Sequence, residues 1–317
     1  MNLTAFALRR LAASVPLLLG VTLISFLLIV YAGPDVTFEL ISRNASAEEI
    51  ARIRHLLGYD RPFLVRYADF LQRLVTLDLG ASFISGEPVS ALLARTVPVS
   101  LALGLPGFLG GNLVAIATAL LAARHHRRWQ DRLVTSLSVT AMSISFVVVV
   151  IALQVMLSSS AGLGWFPVQG WRVDGLGDYL RYAAVPTLAL TITTAGYNTR
   201  FYRTVILEAA TMDHVRTARA YGAGEGRVMV REVLRNCAIP IITRVLFSIP
   251  LVVVGGSLVL ERYFGIPGVG RATYDAIASG DQPVLLAIVA LTAVAFVVVQ
   301  ALADVLYRVF DPRVSLD

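Results

Sequence analysis

The sequence contains no lysine, and all 27 of its basic residues are arginine. A P-loop needs a lysine after its glycine-rich turn to reach the β and γ phosphates, so this chain is not expected to hydrolyse ATP itself. Cysteine is almost as scarce: Cys237 is the single one in 317 residues, which excludes an internal disulfide or a cysteine-built metal centre. Charged residues make up only 15% of the chain, and the central parts of its apolar runs hold essentially no acids. A carrier driven by protons or ions places ionisable groups at membrane depth, so that absence argues against one. The HExxH, GxSxG and paired-carboxylate patterns of an intramembrane hydrolase are also missing. The four histidines, His55, His125, His126 and His214, fall in expected loops or surface helices, where a metal role has little support. If the chain transports anything, the energy comes from a partner.

What is present is apolar length. Hydrophobic residues make up 56% of the chain and the mean hydropathy is +0.72, far beyond what a soluble core needs. This is the composition of a polytopic, all-α membrane protein. No charge interrupts the intervals Arg10 to Asp35, Arg95 to Arg124, Arg132 to Arg172, Arg181 to Arg200, or Asp281 to Asp304. Each can hold a helix of about 20 residues, the length that crosses a hydrocarbon core. A further run from Asn236 to Leu260 is broken only by Arg244, a residue expected to snorkel to the nearby interface. Six membrane spans are therefore expected. The first run is too long for the apolar part of a signal peptide and lacks a small-x-small cleavage site, so it reads as an uncleaved anchor.

Arginine placement gives the orientation. The 124–132 connection carries Arg124, Arg127, Arg128 and Arg132 against Asp131, and the 200–235 connection carries seven arginines against four acids. Both are assigned to the cytoplasm, with the N- and C-termini on the same side. The 35–95 region has seven arginines but eight acids, and it is long enough for the arginine rule to weaken, so it is assigned outside. There, "SAEEIARIRHLLG" offers a capping box of Ser46 and Glu49 with Gly58 as a stop, and "RPFLVRYADFLQRLVT" has helical periodicity. Two short amphipathic helices that cover the span ends follow. The basic pI of about 9.8 points to anionic lipid at cytoplasmic loops rather than to nucleic acid.

One stretch stands out, "HVRTARAYGAGEGRVMVREVLRNCAIP" from His214 to Pro240. Asp213 suits an N-cap, His214 to Tyr221 spans about two helical turns, and Gly222 ends them. Val215 and Ala218 share a small apolar face, with Arg216 and Arg219 beside it. From pattern alone, a helix that docks in another protein's groove and an interfacial helix whose arginines meet lipid head groups are equally open.

"RTARAYG" followed by "LRNCAIP" resembles the cytoplasmic-loop signature of permease subunits of ATP-binding-cassette importers, in the dipeptide, oligopeptide and nickel branch. The resemblance extends through "LRRLAASVPLLLGVTLISFLL", "LDLGASFISGEPVSALLARTVPVSLAL", "ERYFGIPGVG" and "DVLYRVFDPRVSLD", and so over nearly the whole chain. It implies a type I importer permease fold, with residues 1–95 forming the first span and a long outer helical region. Residues 96–311 would form the permease core with a coupling helix at about 213–222. The literal "EAA" at Glu208 to Ala210 is a decoy, because His214 stands where the general motif wants glycine, whereas Gly222 fits. Tyr221 replaces the usual lysine. "MSISF" lacks the proline generally found in this branch, which predicts a less kinked third span.

By that resemblance, Asp213, His214, Arg216, Thr217, Ala218, Arg219 and Gly222 form the ATPase-coupling helix. The two arginines would reach polar groups of the ATPase, and Ala218 and Gly222 would permit close approach. The implied partners are a second homologous permease, two ATPase subunits and a periplasmic or lipid-anchored solute-binding protein, with peptides or similar small solutes as cargo. No cofactor is expected in this chain, ATP and magnesium being bound by the ATPases. The segment 261–283 is expected to fold back outside as a loop near the gate. A stand-alone secondary transporter or channel, and a non-transporting scaffold, are the alternatives.

Overall fold

The computed structural model describes residues 3–33, 60–254 and 258–310, together with positions 48, 52 and 55. Among the described residues there are helices and a single isolated bridge, between Ala81 and Pro88, but no strand. In chain order the helices are α1 (Leu3–Leu27), α2 (Phe63–Val75), α3 (Val89–Arg124), α4 (Trp129–Ser143), α5 (Phe146–Ser158) and α6 (Leu176–Ala209). They continue with α7 (Asp213–Ala220), α8 (Glu225–Arg227), α9 (Ala238–Val254), α10 (Leu258–Phe264), α11 (Val269–Ser279) and α12 (Gln282–Phe310). Wider π-helical turns extend α1 over Leu28–Ala32 and α8 over Val228–Leu234. The capping box at Ser46 and Glu49 falls outside the described residues.

Among the described residues, three segments are long and apolar enough to cross a membrane: Ala12–Ala32, Val89–Arg124 and Gln282–Leu306. Two bent pairs, α4 with α5 and the Glu225–Leu234 segment with Ala238–Pro250, bring the number to five if each pair is one span. The interval 181–200, expected to be a span, lies in α6, which is helical over 34 residues but carries Thr187, Thr191, Thr193, Thr194, Asn198 and Thr199. Those side chains lower its apolar character below that of a lipid-facing helix. The segment 261–283 is mostly helical, as α10 and α11 joined by a short turn, rather than a loop.

The absence of proline in "MSISF" does not straighten the third apolar segment. Ile144 and Ser145 both take extended backbone angles, so α4 and α5 meet at a 101° bend. Two consecutive extended residues interrupt the helical hydrogen-bond ladder, and no proline is needed.

The chain divides into two compact units. One comprises residues 1–100, 253–262 and 267–301. Within it, α2 lies against α1 through aromatic side chains: Phe26 is buried with its ring 5.6–5.8 Å from those of Phe63, Tyr67 and Phe70. The Tyr67 hydroxyl donates to the Leu19 carbonyl at 3.0 Å. A second apolar cluster joins Val89 and Leu93 of α3, Val269 and Ala276 of α11, and Val284 and Ile288 of α12. Two buried carboxylates fix the short connections. Glu261 accepts from the Ser100 hydroxyl at 2.6 Å and the Arg271 N–H at 3.0 Å, and Asp281 accepts from the Ser82 hydroxyl at 2.5 Å and the Phe83 N–H at 3.2 Å.

The other unit comprises residues 101–252, 263–266 and 302–317. Its α3 and α6 approach closely at Gly107 and Gly111, a G-x-x-x-G pair. A Cβ at either would come within 2.7 Å of the Leu190 or 2.5 Å of the Thr194 side chain. Small residues at that spacing let helix backbones approach where lipid supplies no hydrophobic drive for association. Below this contact lies the apolar cluster that carries the site: Ala115 and Ala119 of α3, Tyr202 and Ile206 of α6, Val215 of α7, then Val228, Met229, Val233 and Cys237.

Candidate functional site

The 213–222 segment folds as an eight-residue helix followed by a left-handed turn. Its start differs from expectation: Met212, not Asp213, is the N-cap, and no side chain caps the helix. Asp213 is the first helical residue, where its carboxylate favours the positive end of the helix dipole without accepting from a free N–H. The end forms as the glycine requires. Gly222 has φ +77°, its N–H donates to the Arg219 carbonyl at 2.9 Å, and the Ala223 N–H donates to the Ala218 carbonyl at 3.1 Å. This is the Schellman arrangement, in which the N–H of the left-handed residue and that of the residue after it satisfy the last carbonyls.

The two faces of α7 have different surroundings. Val215 is fully buried in the apolar cluster and Ala218 packs against the same cluster, so this pair seats the helix on its own chain. Ala218 is partly buried there, so its small side chain already serves a contact within the chain. The opposite face presents Asp213, Arg216, Thr217 and Ala220, all exposed, and Tyr221 beyond them is 88% exposed. Arg216 lies 3.6 Å from Asp213 with both side chains in solvent, a weak pairing that leaves the guanidinium available. Arg219 is more committed, donating through Nε and Nη2 to both Glu225 oxygens at 3.2 and 2.8 Å. That hydrogen bond holds the Glu225 carboxyl below the ordinary carboxylate range. The Thr217 hydroxyl donates back to the Asp213 carbonyl at 3.0 Å.

The structure also explains why the two halves of the 214–240 stretch belong together. Asn236 of "LRNCAIP" lies 2.9 Å from the His214 ring nitrogen and donates to the Glu232 carbonyl at 2.5 Å. Next to it, the buried Cys237 thiol faces the Val205 carbonyl at 3.6 Å. The second half thus braces the first helix turn of α7.

Sequence reasoning missed a polar chain that rises from this cluster between α3, α6 and α9. The Tyr202 hydroxyl and the Asn198 amide both donate to Asn112 Oδ1, at 2.5 and 2.9 Å, while Asn112 donates to the Phe108 carbonyl at 2.8 Å. Arg244 joins it, with Nε 3.3 Å from Asn198 Oδ1 and the guanidinium 5.4 Å from the Phe201 ring centre. Arg244 is thus held by an amide and an aromatic face rather than snorkelling freely. The weakly apolar "TITTAGYNTR" was the available signal, because a run of threonine and asparagine within an expected span marks a face turned away from lipid. Nearby, Asp131 pairs with Arg203 through two hydrogen bonds of 2.6 and 2.8 Å, joining α4 to α6.

The description "Binding-protein-dependent transport system inner membrane component" matches residues 115–316, and its N-terminal counterpart matches residues 3–104. The chain belongs to this family. It is an inner-membrane permease component, a class that works with a substrate-binding protein and ATPase partners. A protein of Brucella abortus (strain 2308) named "Putative peptide transport system permease protein" is 34% identical over 99% of this chain and 100% of its own length. The "Glutathione transport system permease protein GsiC" of Salmonella typhimurium is 32% identical over 98% of each chain. Among solved structures, a chain of the MetNI methionine ABC transporter in inward-facing conformations aligns at TM-score 0.58 and 19% identity. That alignment covers 71% of this chain and 99% of the other, and supports the fold alone.

Proposed function

We propose that this chain is one of two homologous permeases that enclose a translocation pathway for peptides or similar small solutes, and that α7 is the element on which an ATPase subunit acts. The observation that carries this reading is the asymmetry of α7. Val215 and Ala218 anchor one face to the chain's own core, while Asp213, Arg216, Thr217 and Ala220 leave the other open to a partner. A helix held in this way transmits a push. When ATP closes the nucleotide-binding subunits, the docked helix moves with them and biases the membrane helices toward an outward-open arrangement. An external binding protein then releases its cargo inward, and hydrolysis restores the starting equilibrium. ATP and magnesium sit in the partner subunits, which agrees with the lack of lysine.

The accompanying topology is six spans with both termini in the cytoplasm, α6 supplying the span that is too polar to face lipid. Cysteine at Ser85, in a background lacking Cys237, is expected to react with an impermeant thiol reagent in intact cells, and cysteine at Gly224 to remain unlabelled. The reverse pattern contradicts the orientation.

The function is tested by reconstituting the chain with its second permease, ATPases and binding protein in proteoliposomes. ATP-dependent uptake of labelled di- and tripeptides or glutathione is expected, with no hydrolysis by the chain alone. Hydrolysis by the isolated chain, or uptake without the ATPases, contradicts the reading.

A further inference from the structure

We infer that Arg244 is a specificity residue that binds the carboxylate of the transported solute within the membrane pathway. This inference deepens the reading above and rests on it. Arg244 lies in α9 six residues beyond Ala238, about 9 Å along a helix that enters the apolar segment. An ionised group at that depth is costly, and such groups face a water-filled cavity or a partner rather than lipid. Three observations define what Arg244 does there.

First, among the described residues no carboxylate pairs with it. Among the described residues its partners are neutral, Asn198 Oδ1 at 3.3 Å and the face of Phe201. This contrasts with Arg203 nearby on α6, whose charge is matched by both oxygens of Asp131. Second, the side chain is positioned rather than loose. Asn198 is buried, and its own amide donates to Asn112, which the Tyr202 hydroxyl also engages, so the acceptor that holds Arg244 Nε is fixed from α3 and α6 at once. Third, only Nε is used in that bond, and the residue remains exposed. The two Nη groups are left for an incoming ligand.

A guanidinium fixed at Nε, backed by an aromatic ring and presenting Nη donors, suits a carboxylate that accepts two parallel hydrogen bonds. Peptides with a free C-terminus and glutathione carry such a group. A lipid phosphate could engage the same fork, and a preference for a free peptide carboxylate over its amide distinguishes the two sources.

The test uses the assembled importer, with trialanine and its C-terminal amide as probes. Uptake into proteoliposomes is measured with the binding protein, and photo-crosslinking of an azido-labelled tripeptide to the complex is measured without it, each unlabelled probe serving as competitor. The second measurement excludes selection by the binding protein. For the unaltered complex, free trialanine should out-compete its amide. Arg244→Gln should weaken competition by the free form about tenfold, the loss of a charged hydrogen-bonded pair, while changing that of the amide less than twofold. Arg244→Lys should restore part of the preference, since it keeps the charge but not the fork.

An equal loss for both probes, an unchanged preference, or loss of the second permease on purification of Arg244→Gln would overturn the assignment. The last outcome would make Arg244 an assembly contact. If the unaltered complex takes up neither peptide nor glutathione, the importer reading for these solutes fails instead, which distinguishes the two failures.

Discussion

Glu261 in one unit and Asp213 in the other are both carboxylates near a helix end, yet they sit in opposite environments. Glu261 is fully buried and both its oxygens accept from groups of its own chain, while Asp213 leaves 97% of its side chain in solvent and has only a distant arginine beside it. A buried carboxylate is tolerated only when its hydrogen bonds are satisfied, so Glu261 and Asp281 act as fixed points of the fold. Exposed charges hold little, and those of Asp213 and Arg216 on α7 remain available to be satisfied by another molecule. The difference separates a point whose charge is satisfied inside the chain from one left to solvent, the face we propose an ATPase subunit meets.

Breaking the anchor of α7 should have the largest effect. Val215→Asp places a charge in a fully apolar cluster and is expected to cost about 3 kcal/mol or more, read as loss of protease resistance in the 200–235 loop. Survival of the loop would mean that α7 is not seated through Val215.

Next comes Glu261→Ala, which removes the acceptor from Ser100 and from the Arg271 N–H and should cost about 1–3 kcal/mol in thermal stability. Glu261→Gln keeps one oxygen and should cost less. Equal effects would show that charge rather than hydrogen bonding fixes this point.

Gly222 sharpens the contrast from the other side. A Cβ there meets nothing within 4 Å in this chain, so the internal penalty is the left-handed backbone alone, about 1–2 kcal/mol for valine and little for asparagine. If Gly222→Asn leaves stability intact but lowers substrate-stimulated ATP hydrolysis, a partner approaches this glycine. If both are unchanged, the glycine serves only the turn. The smallest effect is expected from Arg216→Ala, within about 0.5 kcal/mol of the unaltered protein in stability, because the side chain is exposed and its pairing long.

Local chemistry was legible in the sequence. Charge-free runs located the helices of the apolar segments, and the glycine after "RTARAY" marked the end of α7 with its left-handed turn. The N-cap was not legible, because Asp213 is a good cap by type and only the backbone angles at Met212 decide the matter. The bend at Ile144 and Ser145 was hidden for a related reason, since backbone angles set by packing leave no proline to announce them. Pairings across long separations, such as His214 with Asn236 or Arg244 with Asn198, depend on which helices meet. Ala218 shows the cost of reading one face alone: its small side chain suits a docking surface equally well, and only the fold shows that it turns inward.

For that reason the decisive substitution belongs on the outward face, and Ala220→Trp is the one to make. Ala220 is exposed, so tryptophan there should leave membrane insertion, thermal stability and association with the second permease unchanged. The measurement is substrate-stimulated ATP hydrolysis by the fully reconstituted complex. Loss of that stimulation with an intact assembly is the predicted result, while full stimulation by Ala220→Trp would contradict the assignment of α7 as the element on which the ATPase acts.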